Sequence, residues 1–122
     1  MAPAVLALRG ATTVDADTTD QVRARTVTLI DQMMSANGLG HDDIISVIFT
    51  ATDDIHSMFP ALAARENGLG DVPLMCAREL DIEGSKPLCI RILMHVTTER
   101  PRAELHHIYL EGAANLRDDL PS

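Results

Sequence analysis

A single long amphipathic helix has to serve several apolar strands in this chain of 122 residues, and that imbalance constrains the fold more than any motif does. Val22, Thr26, Leu29, Ile30, Met33 and Met34 recur at helical spacing. Thr18, with Gln21 three residues later, has the form of a capping box, and Asn37-Gly38 supplies the C-terminal stop. Strand-length apolar runs are read at Ala4 to Arg9, Ile44 to Thr52, Val72 to Ala77, Pro87 to Thr97 and Leu105 to Glu111. Pro60 fits the first turn of a short helix that carries Arg65 and stops before Gly68 and Gly70. The order strand, helix, strand, short helix, strand, strand, strand predicts an α+β fold, a mixed five-stranded sheet with one long helix and short helices, in a single domain over residues 1–122. One helix covers one face of such a sheet. Ile44 to Thr52 nevertheless reads as a central strand buried on both faces, so the second face is expected to be covered by other copies of the chain.

The core must be aliphatic, because Trp is absent and Phe49, Phe59 and Tyr109 are the only aromatic residues. A formal net charge of -8 disfavours nucleic acid or an anionic membrane as partner, since both need clustered Lys and Arg. Cys76 and Cys89 stand thirteen positions apart and match neither a redox pair nor a zinc pattern. The start, Met1 to Gly10, lacks a basic leader, and its apolar run is too short to span a bilayer. A cytoplasmic protein with reduced thiols is expected.

The usual catalytic signatures are missing from the sequence. His41, His56, His95, His106 and His107 give no metal-ligand spacing, no Ser or Thr sits in a nucleophile elbow, and Gly68-Leu69-Gly70 lacks the lysine of a phosphate loop. No cofactor and no metal are expected. What remains is arginine. In the strand from Pro87 to Thr97, alternation puts Leu88, Ile90, Ile92, Met94 and Val96 on one face and Cys89, Arg91, Leu93, His95 and Thr97 on the other. Arg91 among apolar neighbours requires an anionic partner, because its guanidinium stays charged. That partner is a structural carboxylate or a ligand. Arg9, Arg65 and Arg117 lie at or near the ends of other ordered elements, with Glu79, Cys76 and Tyr109 as hydrogen-bonding companions. Arginine forks match carboxylates, so the set suits a small di-acid better than a polymer. Arg23, Arg25, Arg78, Arg100 and Arg102 are read as surface or salt-bridge residues.

Several short pieces in order resemble one family: Arg9-Gly-Ala-Thr-Thr13; Thr50-Ala-Thr52 with Asp54, His56, Phe59-Pro-Ala61 and Arg65; Pro73, Cys76, Glu79 and Asp81; Cys89-Ile-Arg91; and His107, Tyr109-Leu110 and Leu116-Arg117. They are similar to the AroH-type monofunctional chorismate mutases, from about Leu8 to Leu120. The resemblance implies a homotrimer with a pseudo-α/β-barrel look, active sites between subunits, and conversion of chorismate to prephenate in aromatic amino-acid synthesis. It implies that Arg91 faces the ether oxygen of the breaking bond, that Arg9 binds a carboxylate, and that Glu79 accepts from the ring hydroxyl. Cys76 and Tyr109 are implied as companions at the site, Arg65 and Arg117 as flanking its entrance, and Phe59 with Ala61 as its apolar wall. Leu62 stands where a lysine is found in a well-known kind of member, and the chain ends at Ser122, leaving a short tail.

An intramolecular [3,3] shift needs no nucleophile, metal or proton transfer, which fits the missing signatures. Glu79 and Arg91 are expected as complementary arms of one site rather than a salt bridge to each other. The competing reading is a non-catalytic trimeric module that binds a small anionic metabolite at the same interfaces. Glu79 disfavours it, because a simple carboxylate receptor gains nothing from an acid beside its anion.

Overall fold

The computed structural model describes residues 2–116. Strands β1 (Ala4–Thr13), β2 (Ile44–Ala51), β3 (Leu74–Arg78), β4 (Cys89–Thr98) and β5 (Ile108–Tyr109) form one mixed sheet in the order β3-β2-β4-β1-β5. β4 lies in the middle, antiparallel to both β1 and β2, while β3 and β5 pair parallel to β2 and β1. Helix α1 (Thr19–Ala36) packs on one face, and short helix α2 (Pro60–Ala64) runs on into a wide turn at Arg65–Leu69. The α+β class, the mixed sheet and the single long helix agree with the sequence reading.

The ends of α1 are set by side chains. Thr18 Oγ1 accepts from the Gln21 amide at 3.2 Å, as the capping pattern requires. The reciprocal half of the box differs: Gln21 Oε1 accepts from the amides of Asp15 and Ala16, at 2.7 and 3.2 Å, and so orders the approach to the helix. At the other end Asn37 is more than a stop signal. Its side-chain nitrogen donates to Met33 O (2.7 Å) and His106 O (2.9 Å), and its Oδ1 accepts from His106 N (2.7 Å). Fully buried, Asn37 pins the segment before β5 to the helix C-terminus.

On the buried side of α1, Leu29, Ile30 and Met33 meet Leu8, Val47, Phe49, Ile92, Met94 and Val96 of the sheet, while Val22 packs with Val14 and Ile90. Gly10 permits the close approach: a Cβ there would stand 2.5 Å from Met33 Sδ and 3.2 Å from Leu29 Cδ1. This changes where β1 ends. Gly10 does not stop the strand at Arg9; pairing continues to Thr13 opposite Cys89, so Arg9 lies mid-strand opposite Leu93.

The helix-free face follows from the register, since residues opposed across strands share a face. It carries Val5, Ala7, Arg9 and Ala11 of β1, Arg91, Leu93, His95 and Thr97 of β4, Ser46, Ile48 and Thr50 of β2, Met75 of β3 and Tyr109 of β5. Val5 is 62% exposed, Met75 58% and Leu93 37%, so apolar surface lies open there. β2 is consequently buried on one face within the chain, not on both. A bulge between Ile44 and Ser46 also breaks its simple alternation and sets Ile45 outward. The last strand is reduced to Ile108–Tyr109: residues 105–107 and 110 of the predicted run are irregular, and Glu111 opens the short turn Glu111–Ala113.

Candidate active site

Arg91 stands on the helix-free face of β4, where the alternation predicted it. Tyr109 is brought beside it by parallel pairing of β5 with β1, where Tyr109 opposes Ala11 and Ala11 opposes Arg91. Two further bonds fix that edge: the Arg9 amide donates to His107 Nδ1 at 3.0 Å, and the Leu110 amide donates to Ala11 O at 2.9 Å. Glu79 lies just past the end of β3, its amide bonded to Ala51 O at 3.0 Å. Together Arg9, Thr50, Glu79, Arg91, Leu93 and Tyr109 line a cavity of about 320 Å³.

Its electrostatics are unusual for a purely structural pair. Arg91 Nε lies 3.5 Å from Glu79 Oε1, so the two arms of the site form an ion pair, contrary to the expectation that they do not salt-bridge each other. The approach arises because Thr50, opposite Arg91 on β2, holds Glu79 by donating its hydroxyl hydrogen to Oε2. The separation permits Coulomb attraction but lacks hydrogen-bond alignment. Among the described residues Arg91 Nε and Tyr109 Oη are buried atoms without a hydrogen-bond partner. Two orphaned polar atoms lining one cavity, beside a cation and a carboxylate, are the arrangement of a site built for a polar ligand.

The remaining predicted residues are separated from this group. Cys76 opposes Phe49, which is fully buried beneath α1, so Cys76 faces the helix side of the sheet, away from Arg91. With Phe59 and Leu62 it lines a second cavity of about 880 Å³, to which Arg23, His56 and Arg78 also contribute. Phe59 is 71% exposed, on a loop held by Asp17 through the amides of His56 (2.8 Å) and Ser57 (3.0 Å). Those amides help keep the Asp17 carboxyl below its ordinary range, with a side-chain bond from Ser57 as the largest cause. Ala61 belongs to the core rather than to either cavity wall, and exposed Arg65 lines neither cavity. Arg117 lies outside the described residues.

Of the arginines read as surface residues, Arg78 clasps Asp53 through Nη2 (2.8 Å) and Nε (3.1 Å), lowering the Asp53 pKa through that hydrogen bond. Arg25 ties α1 to the end of β1 by donating to Thr13 O, and pairs with Asp15 at 3.2 Å. Sequence reasoning missed Thr50 and Asp17 as supports. The signal for Thr50 was a hydroxyl on the outward face of an otherwise apolar strand. Among the described residues no group of three or more His, Cys, Asp or Glu is disposed to hold a metal ion, and no helix is long and apolar enough to cross a membrane.

An α+β domain with an arginine, a carboxylate and unpartnered polar atoms converging on a pocket beside an uncovered sheet face defines a class: an enzyme or binder of a small anion. The comparisons decide within it. The family model for chorismate mutase type I matches residues 5–120. A chorismate mutase AroH from Thermus thermophilus is 43% identical over 119 residues, spanning 97% of this chain and 98% of that protein. One from Bacillus subtilis is 39% identical over 114 residues, 93% of this chain and 90% of that protein. A solved chorismate mutase from Clostridium thermocellum superposes with a TM-score of 0.87 at 48% identity, covering 88% of this chain and 96% of that one. The chain belongs to the type I chorismate mutase family.

Proposed function

We propose that this chorismate mutase, an isomerase converting chorismate to prephenate in aromatic amino-acid biosynthesis, works by holding its substrate folded and stabilising charge at the breaking ether bond. Arg91 is the cation at the ether oxygen, Arg9 grips a carboxylate, and Glu79 accepts from the ring hydroxyl. The carrying observation is the cavity that gathers all three with Tyr109, in which Arg91 Nε and Tyr109 Oη lack hydrogen-bond partners among the described residues. The rearrangement is intramolecular, so rate comes from conformational restriction and from a donor fixed where negative charge grows. No proton changes hands.

We further propose that the active unit is a homotrimer with sites between subunits. Two observations support it: the helix-free face exposes Val5, Met75 and Leu93, and the predicted site residues divide between two separate cavities of one chain. A neighbouring copy would add its Phe59 and Cys76 side to the Arg91 side of the next. Arg65, Ala61 and Arg117 remain in the proposal as residues of the entrance and wall. Residues 1–122 are taken as one domain, which the single sheet joining Ala4 to Tyr109 supports. A cytoplasmic location is proposed as well, in keeping with two free thiols.

The test mixes purified protein with chorismate and follows loss of its near-ultraviolet absorbance, with light scattering on the same sample. Turnover to prephenate by a trimer is expected. Binding without turnover would leave a receptor module, and a turning-over monomer would remove the shared site.

A further inference from the structure

We propose that Thr50 is a positioning residue for the rearrangement, acting through Glu79 to keep Arg91 available to the substrate. The proposal rests on the reading that Glu79 and Arg91 face the substrate. Glu79 lies beyond the last residue of β3, where the strand ladder no longer fixes it. Two bonds to β2 hold it instead. Ala51 O accepts from its amide at 3.0 Å, and the Thr50 hydroxyl donates to its Oε2. Thr50 is correctly sited for this by register alone, opposed to Arg91 on one side and to Ala77 on the other.

The consequence is a restrained carboxylate. With Oε2 held by Thr50, Glu79 meets Arg91 through Oε1, 3.5 Å from Nε, an atom without a hydrogen-bond partner among the described residues. An arginine and a carboxylate free to choose would close into a bidentate pair, the strong geometry for these groups. Such a pair would turn the guanidinium donors away from the ligand and fill the cavity with a self-satisfied salt bridge. The Thr50 hydroxyl therefore competes for Glu79 and keeps the pair open. A valine at position 50 would suit an apolar strand at least as well, so the hydroxyl is not needed for the fold.

The experiment measures kcat/KM for chorismate in the full-length protein and in Thr50→Val, Thr50→Ser, Glu79→Ala and the Thr50→Val/Glu79→Ala double variant, each with a thermal melt. Thr50→Ala replaces Thr50→Val if the valine variant does not fold. Thr50→Val should lose roughly tenfold, the effect of one hydrogen bond to a charged group. Thr50→Ser should return to within about threefold of the parent, and Thr50→Val should cost almost nothing once Glu79 is alanine. The proposal is overturned if Thr50→Val stays within twofold of the parent, if serine fails to rescue, or if the loss is as large without Glu79 as with it. A Glu79→Ala variant that keeps parental activity instead overturns the reading of Glu79 itself, and is told apart because it appears without any change at Thr50.

Discussion

Replacing Arg91 with alanine should separate catalysis from stability more sharply than any other change. At 3.5 Å and an effective dielectric of about 20, the attraction between Arg91 and Glu79 is on the order of 5 kcal/mol before costs. The two side chains are 35% and 24% exposed, so desolvation, side-chain entropy and screening reduce the net contribution to about 1 kcal/mol or less. For a domain of this size that is a fall in melting temperature of roughly 3 to 6 °C. Catalysis is another matter. A fixed donor facing a developing oxyanion contributes about 3 to 4 kcal/mol, so Arg91→Ala should lower kcat by at least 10² to 10³. Arg91→Lys should also be poor, because an ammonium lacks the planar fork that spans two acceptors. The assay is chorismate consumption at saturating substrate, paired with a thermal melt and light scattering. A variant within tenfold of the parent refutes the role of Arg91, and so does a loss of activity that merely follows a collapse of the melting temperature.

Three other expectations follow from particular contacts. Asn37→Ala removes three buried hydrogen bonds to Met33 and His106 and should destabilise by about 2 to 4 kcal/mol, read as a lower denaturant midpoint; a midpoint unchanged within error would refute the pinning role. Cys89 is 1% exposed and burial pushes its thiol pKa upward, whereas Cys76 is only partly buried. A thiol reagent at neutral pH should therefore label Cys76 first and reach Cys89 only on unfolding, as mass spectrometry of the labelled peptides will show. His41 bonds Asp71 at 2.6 Å and Asp42 at 3.0 Å, and the Asp71 bond foremost raises its pKa above 6.5. A raised histidine stabilises the fold fully below the unfolded value and loses that contribution as pH rises through the folded one. The parent's stability advantage over His41→Ala should accordingly shrink from pH 6 to pH 9, and an advantage that grows over that range would refute the assignment.

How far the sequence could be read depended on the range of the interaction. The α1 pattern, its Thr18 cap and the division of β4 into a core face and an Arg91 face are properties of neighbours three or two residues apart, so local spacing determined them. The ordered pieces from Arg9 to Arg117 likewise carried the family resemblance without any coordinates. Tertiary structure decided what local spacing leaves free: which strands pair and in what register. Register extends β1 past Gly10 to Thr13 and opposes Thr50 to Arg91. It also puts Cys76 on the opposite side of the sheet from the arginine it was grouped with. A period of two fixes which residues share a face within one strand, but says nothing about the face of the next until long-range pairing sets the phase. For that reason Arg91 was legible as a residue in need of an anion. That Glu79 stands 3.5 Å away, held by a threonine from a third strand, emerged only when β2, β3 and β4 lay side by side.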